Sequence, residues 1–137
     1  MENGGSAIAT LRKPDALADL TSRYPPERLV VVKLDVSKSD EIRAAFAEAQ
    51  ARFGRIDVVF NNAGFGLMSE AESAPEDLAR EMFDVNFWGA VNVSKEAVRF
   101  FREVNEPQGG RLLQTSSSGG IQGLSALPYY CASKFGE

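Results

Sequence analysis

An α/β fold organised around a parallel sheet is what this sequence predicts, and three observations carry that expectation. Short apolar runs alternate along the chain with longer stretches of helical periodicity, the pattern of βαβ units. One run, Leu29-Val30-Val31-Val32-Lys33-Leu34, is almost wholly apolar, as a strand covered on both faces should be. Two of the runs end in Asp35 and in Asn61-Asn62-Ala63-Gly64, at the carboxyl ends of strands where open parallel sheets receive ligands.

The elements follow in order. Ala7-Ile8-Ala9-Thr10-Leu11 reads as a first strand. Pro14 then opens a short helix through about Arg23, which Pro25-Pro26 ends. Residues 29–34 form the second strand. Ser37 with Asp40 resembles a cap for the next helix, whose buried face is Ile42, Ala45, Phe46, Ala49 and Phe53. Gly54 supplies its stop. Asp57-Val58-Val59-Phe60-Asn61 is the third strand. Ser73-Ala74-Pro75-Glu76 reads as a capping box opening the longest helical stretch, to about Val104. Leu78, Met82, Val85, Trp88, Val93, Ala97, Phe100 and Phe101 belong to its apolar stripe. Pro107-Gln108-Gly109-Gly110 is a turn, Arg111-Leu112-Leu113-Gln114-Thr115 a fourth strand, and Pro128 starts a final helix.

Composition removes whole classes of function. The chain has 137 residues, 44% hydrophobic and 25% charged, which suits one core rather than two. Its net charge is −4 with basic residues scattered, so no positive stripe awaits nucleic acid. No apolar run approaches the ~20 residues of a membrane span, and the N-terminus lacks the pattern of a signal peptide. The single cysteine, Cys131, cannot form an internal disulfide, which points to a reducing, cytoplasmic setting. Histidine is absent. That excludes a Ser-His-Asp hydrolase, a Cys-His protease and a His-ligated zinc site, and no metal is expected. Proton chemistry must fall to Tyr, Lys, Asp or Glu.

Tyr130 and Lys134 stand four residues apart, on one face of the final helix, with Ser116-Ser117-Ser118 upstream. Two unit charges about 6 Å apart at an effective dielectric near 20 interact by roughly 2.8 kcal/mol. A Lys cation one turn away can therefore make a phenolic proton mobile enough for general acid–base work. Alone, the pair is more often a feature of an exposed helix. Asn61-Asn62-Ala63-Gly64 reads by itself as a turn, though small residues there also let a ligand approach the backbone. Asp35 can accept a hydrogen bond from an adenine amino group or cap the following helix, and capping is the stronger reading of the residue alone. Asn86 and Gly89 weaken a helix interior, so Asn86 is either solvent-facing or partly buried with a polar task.

Together, Asp35-Val36, Asn61-Asn62-Ala63-Gly64, Asn86, Ser117 and Tyr130-x-x-x-Lys134, in this order, resemble the short-chain dehydrogenase/reductase family over nearly the whole chain. The resemblance implies a doubly wound, Rossmann-like parallel sheet in three α/β/α layers, with residues 1–137 a partial NAD(P)-binding domain. It implies hydride transfer between NADP(H) and a small-molecule carbonyl or secondary alcohol, as in ketoreductases. Tyr130 would be the general acid or base, and Lys134 would assist it and hold the nicotinamide ribose hydroxyls. Ser117, thirteen residues before Tyr130, would hydrogen-bond the substrate oxygen, with Ser116 and Ser118 as close alternatives. Asn86 would hold a water linking Lys134 to solvent. Asp35 and Val36 would border the adenine, and Asn61, Ala63 and Gly64 would line the cofactor cleft. Leu11 stands where NAD-preferring relatives place an acid, and Arg12 could pair with a 2′-phosphate. NADP is the expected cofactor, with NAD as the alternative; Arg12 and Lys13 read equally as solvated charges.

The chain departs from the family in lacking its glycine-rich Thr-Gly-x-x-x-Gly-x-Gly turn and the region beyond the active-site helix. The expectation is an internal fragment with an incomplete sheet, the absent strand lying between the first and third strands present. Two apolar strand edges would then be unpaired, and the isolated chain would fold poorly and turn over little. At full length a homo-oligomer is expected. The competing reading is a non-catalytic dehydrogenase-like remnant that serves binding or assembly.

Overall fold

The computed structural model describes residues 4–137. Four strands form: β1 (Ala7–Leu11), β2 (Leu29–Lys33), β3 (Val58–Asn61) and β4 (Arg111–Gln114). They pair as two parallel ladders, β1 with β2 from Ala7↔Leu29 to Leu11↔Lys33, and β3 with β4 from Val58↔Arg111 to Asn61↔Gln114. Among the described residues β1 and β3 share no ladder, so each keeps a free edge. The strands match the expected ones to within a residue or so at either end.

Five α-helices accompany them among the described residues: α1 (Ala18–Thr21), entered through a 3₁₀ turn at Pro14–Leu17, α2 (Ser39–Phe53), α3 (Glu76–Phe83), α4 (Ala90–Glu103) and, after the last strand, α5 (Pro128–Gly136). Gly54 stops α2 as expected, in the left-handed region at φ 75°, with its N–H on Gln50 O at 2.8 Å. The long 76–103 stretch is helical, but a π-helical turn at Asp84–Gly89 separates α3 from α4. No described helix is long and apolar enough to cross a membrane.

Both expected N-terminal caps are absent. The cap position of α3 is Pro75, an extended residue without a side-chain bond, and Ser73 instead turns back to Glu70 O through its amide at 3.2 Å. At α2 the cap position is Lys38, while the Ser37 hydroxyl bonds to Asp35. Trp88 is also corrected: it is 54% exposed and leaves the buried stripe, its ring set edge-on to Phe87.

The core lies between α2, α4 and one face of the β3–β4 ladder. Val36, Ile42, Phe46, Val85, Val93, Ala97, Phe100 and Phe101 form it, with Val59 and Leu112 packed from the strands. Phe46 and Phe100 meet with ring centroids 5.8 Å apart and tilted by 52°. Burying a ring such as Phe100 contributes about 1.5–3 kcal/mol. Buried Asn105 fastens the end of α4 to both strand entries. Its Nδ2 donates to Ile56 O at 2.7 Å and to Gly109 O at 2.6 Å, and its Oδ1 accepts from Ile56 N at 3.0 Å. On the opposite face of the ladder Val58, Phe60 and Leu113 are exposed, and no described element forms a third layer over them.

Candidate active site

The chain's strand ends converge where the sequence places its chemistry. A cleft of about 250 Å³ is lined by Thr10, Leu11 and Arg12 after β1, Leu34, Asp35 and Val36 after β2, and Ala63, Gly64 and Phe65 after β3, with Val85 as its floor. Five of the expected cofactor residues, Arg12, Asp35, Val36, Ala63 and Gly64, therefore share one cavity. Asn61 does not line it. Strand alternation turns its side chain inward, where Nδ2 donates to Ala90 O at 3.0 Å and lies 3.4 Å from Ser94 Oγ.

Asp35 caps its own loop. Its Oδ1 accepts from Ser37 Oγ at 2.7 Å and Ser37 N at 3.0 Å, and its amide donates to Glu41 Oε2 at 2.7 Å. The Ser37 hydroxyl holds the Asp35 carboxyl below the ordinary value of 3.8 against the opposing effect of burial; the Ser37 amide and the charges of Lys38 and Arg12 add to the lowering. The sign follows from linkage. A carboxyl depressed in the folded state stabilises it above the unfolded-state value, and that contribution is lost as pH falls through the lower folded-state value. Ser37→Ala is expected to raise the Asp35 titration midpoint towards the ordinary carboxyl range, as read by carboxyl-carbon NMR shifts. An unchanged midpoint would show that the hydroxyl does not set it.

The far end of the cleft meets α5. A Cβ on Gly64 would stand 3.1 Å from Asn86 Oδ1 and 3.8 Å from Lys134 Nζ, so this loop, the π turn and α5 close on one point. Asn86 is fully buried. Its Oδ1 accepts from Phe65 N at 2.9 Å, and its Nδ2 donates to Phe65 O at 2.8 Å and Ser133 Oγ at 3.0 Å. Irregular π turns recur at functional sites because they re-aim side chains that a regular helix would turn elsewhere. Here the turn aims Asn86 at the 63–66 loop. Both amide donors are committed to protein atoms.

Tyr130 is half-buried, with its ring between two stretches of main chain. A Cβ on Gly66 would lie 3.6 Å from the ring, and one on Gly119 3.1 Å. The 3₁₀ turn Ser118–Gly120 is capped by Ser117, whose Oγ accepts from Gly119 N at 3.1 Å. The Ser117 hydroxyl keeps its proton free to donate. Ser116 and Ser118 are more exposed than Ser117. Lys134 is buried, with Nζ 3.1 Å from Thr115 O and 2.5 Å from Glu137 Oε2. The parts played by Glu137 and the Thr115 carbonyl escape the sequence reading. The i,i+3 spacing of Lys134 and Glu137 was the available signal for the first, and none existed for the second.

Parallel strands thus open a ligand cleft towards a helix that carries Tyr and Lys, within an α/β fold. The short chain dehydrogenase family model matches residues 1–137, and the chain belongs to that family. It is 41% identical over 136 residues to an uncharacterized oxidoreductase of Schizosaccharomyces pombe, covering 98% of this chain and 44% of that protein. It is 38% identical over 111 residues to human (Homo sapiens) 17-beta-hydroxysteroid dehydrogenase type 1, covering 81% of this chain and 32% of that protein. Among solved structures, a short-chain dehydrogenase from Streptomyces avermitilis superposes with a TM-score of 0.88 at 30% identity, over 98% of this chain and 48% of that one. The chain thus spans under half the length of these relatives.

Proposed function

We propose that residues 1–137 form the cofactor-binding part of an enzyme that transfers a hydride between NADP(H) and a carbonyl or secondary alcohol. The observation that carries this is the convergence of Gly64, Asn86 and Lys134 at the end of the cleft that Arg12, Asp35 and Val36 open. The residues fit an adenosine: a carboxylate and small residues line one cavity at the strand ends. A bound nicotinamide would supply the hydride; the protein supplies position and proton.

In this reading Tyr130 delivers a proton to the substrate oxygen in reduction and takes it back in oxidation. Ser117 donates its free hydroxyl proton to the same oxygen. Lys134 holds the ribose hydroxyls and moves charge density on the phenol. Asn86 keeps the 63–66 loop against Lys134, and a water linking Lys134 to solvent would use its remaining Oδ1 lone pair. Asn61 supports the cleft by tying β3 to α4. A ketone or secondary alcohol as reacting group agrees with the relative whose name is a hydroxysteroid dehydrogenase. The free edges of β1 and β3 and the open Val58, Phe60 and Leu113 face support a working enzyme in which further structure, or a second copy, covers them. By itself the chain would turn over little. A cytoplasmic setting accords with the single, buried Cys131.

Arg12 carries the choice of NADP. Its only described ion pair is with Glu81, at 3.6 Å with both side chains more than half exposed. Such a pair contributes about 0–1 kcal/mol, less than the ~1.5–3 kcal/mol of a charged hydrogen bond to phosphate. The guanidinium is therefore free to leave. Titration with each reduced nucleotide tests this: NADPH is expected to bind about tenfold or more tightly than NADH, and Arg12→Ala to erase the difference. Tighter binding of NADH would reject the assignment. The hydride-transfer reading itself is tested by loss of the 340 nm nicotinamide absorbance with a ketone, in the intact enzyme, and by its dependence on Tyr130.

A further inference from the structure

Lys134 is the one buried cation among the described residues, and a carboxylate already meets it. Glu137 Oε2 lies 2.5 Å from Nζ, with both side chains 5% exposed. The other carboxylate oxygen accepts from Gln114 Nε2 at the end of β4. A second ammonium donor goes to Thr115 O at 3.1 Å. An ammonium has three donors, so one remains, on a nitrogen that a Cβ on Gly64 would approach to 3.8 Å.

This has a consequence for the cleft. A carboxylate at that distance cancels much of the ammonium's field and claims one of its protons. A ligand whose hydroxyls approach Lys134 meets a paired cation, and one bearing phosphates meets a nearby negative charge as well. Resting on the proposed function, we infer that Glu137 is a positioning residue that competes with the cofactor ribose for Lys134. It holds the ammonium in place before the cofactor arrives and yields part of that hold when the cofactor binds. Gln114 keeps the carboxylate in register, so the strand end and α5 are parts of one device.

Glu137→Gln separates competition from simple support because it keeps shape and removes charge. A purely structural pair, once broken, lowers thermal stability and weakens ligand binding together. Competition predicts opposite signs: a lower melting temperature, and NADPH binding tightened about tenfold. A second readout needs neither cofactor nor turnover. Acetylation of Lys134 by acetic anhydride, followed by mass spectrometry, should rise severalfold in E137Q relative to exposed Lys95 as internal standard. Added NADPH should suppress the rise. Equal Lys134 labelling in the two proteins, or weaker NADPH binding by the variant, overturns the inference. If labelling rises but neither protein binds NADPH or NADH, the grip of Glu137 on Lys134 is supported, and it is the dehydrogenase reading that falls.

Discussion

Tyr130→Phe is expected to lower turnover of the intact enzyme by about 10²- to 10⁴-fold, the usual range for a positioned general acid or base. Cofactor affinity should stay within about twofold. The substitution is clean for a structural reason. The ring fills the space between Gly66 and Gly119, and Phe keeps every one of those contacts. The hydroxyl has no described hydrogen-bond partner within the protein, so its removal leaves no buried group unsatisfied. Steady-state rates with matched nucleotide dissociation constants provide the measurement. Turnover retained within tenfold would remove Tyr130 from the chemistry.

The second large effect is expected at Asn86. Replacing it with Ala removes three hydrogen bonds from a fully buried side chain and strands Phe65 N–H and Phe65 C=O, while the Ser133 hydroxyl keeps its bond to Tyr130 O at 2.8 Å. Each unsatisfied buried group costs about 1–3 kcal/mol. Phe65 is only partly buried, so water recovers some of that loss. A net destabilisation of about 2 kcal/mol follows, read as a lower urea midpoint at unchanged slope. A loss below about 1 kcal/mol would mean that other contacts hold the 63–66 loop. The same variant should weaken cofactor binding, because Gly64 would no longer be fixed beside Lys134.

Much of this was legible in the sequence, for reasons that differ by element. Strand β2 was plain because its apolar run is nearly unbroken, and Gly54 because only a residue tolerant of positive φ ends α2 so sharply. The spacing of Tyr130 and Lys134 placed them on one helix face, and their expected role came from the family resemblance rather than from the pair alone. The inward turn of Asn61 was also open to inspection: period-two alternation sets it on the side of Val59, opposite Val58 and Phe60. Trp88 misled through its chemistry. At about 100° per residue from Met82 it falls about 120° from the buried line through Val93 and Phe100, and an apolar ring obscured that phase.

Other features had no local signal. A π turn reads in sequence as ordinary helix, and only the pairing of Asn86 with Gly89 hints at it. The Ser37 cap failed because its hydroxyl has a competing local bond to Asp35, and the Ser73 cap because the helix starts after Pro75, two residues further on. Asn105 joins residues 49 positions apart, and such closure belongs to the tertiary fold.

Gly119 and Gly120 seat the helix that carries Tyr130 and Lys134 without contributing a side chain. A Cβ on the first would press on the Tyr130 ring at 3.1 Å, and one on the second would come within 2.9 Å of the Lys134 carbonyl. Mutational drift in this neighbourhood is thus least forgiving at two residues that have no side chain to conserve. A methyl group on either would unsettle one member of the Tyr130/Lys134 pair, so an engineer widening the pocket should leave this dipeptide untouched and vary the loops around it.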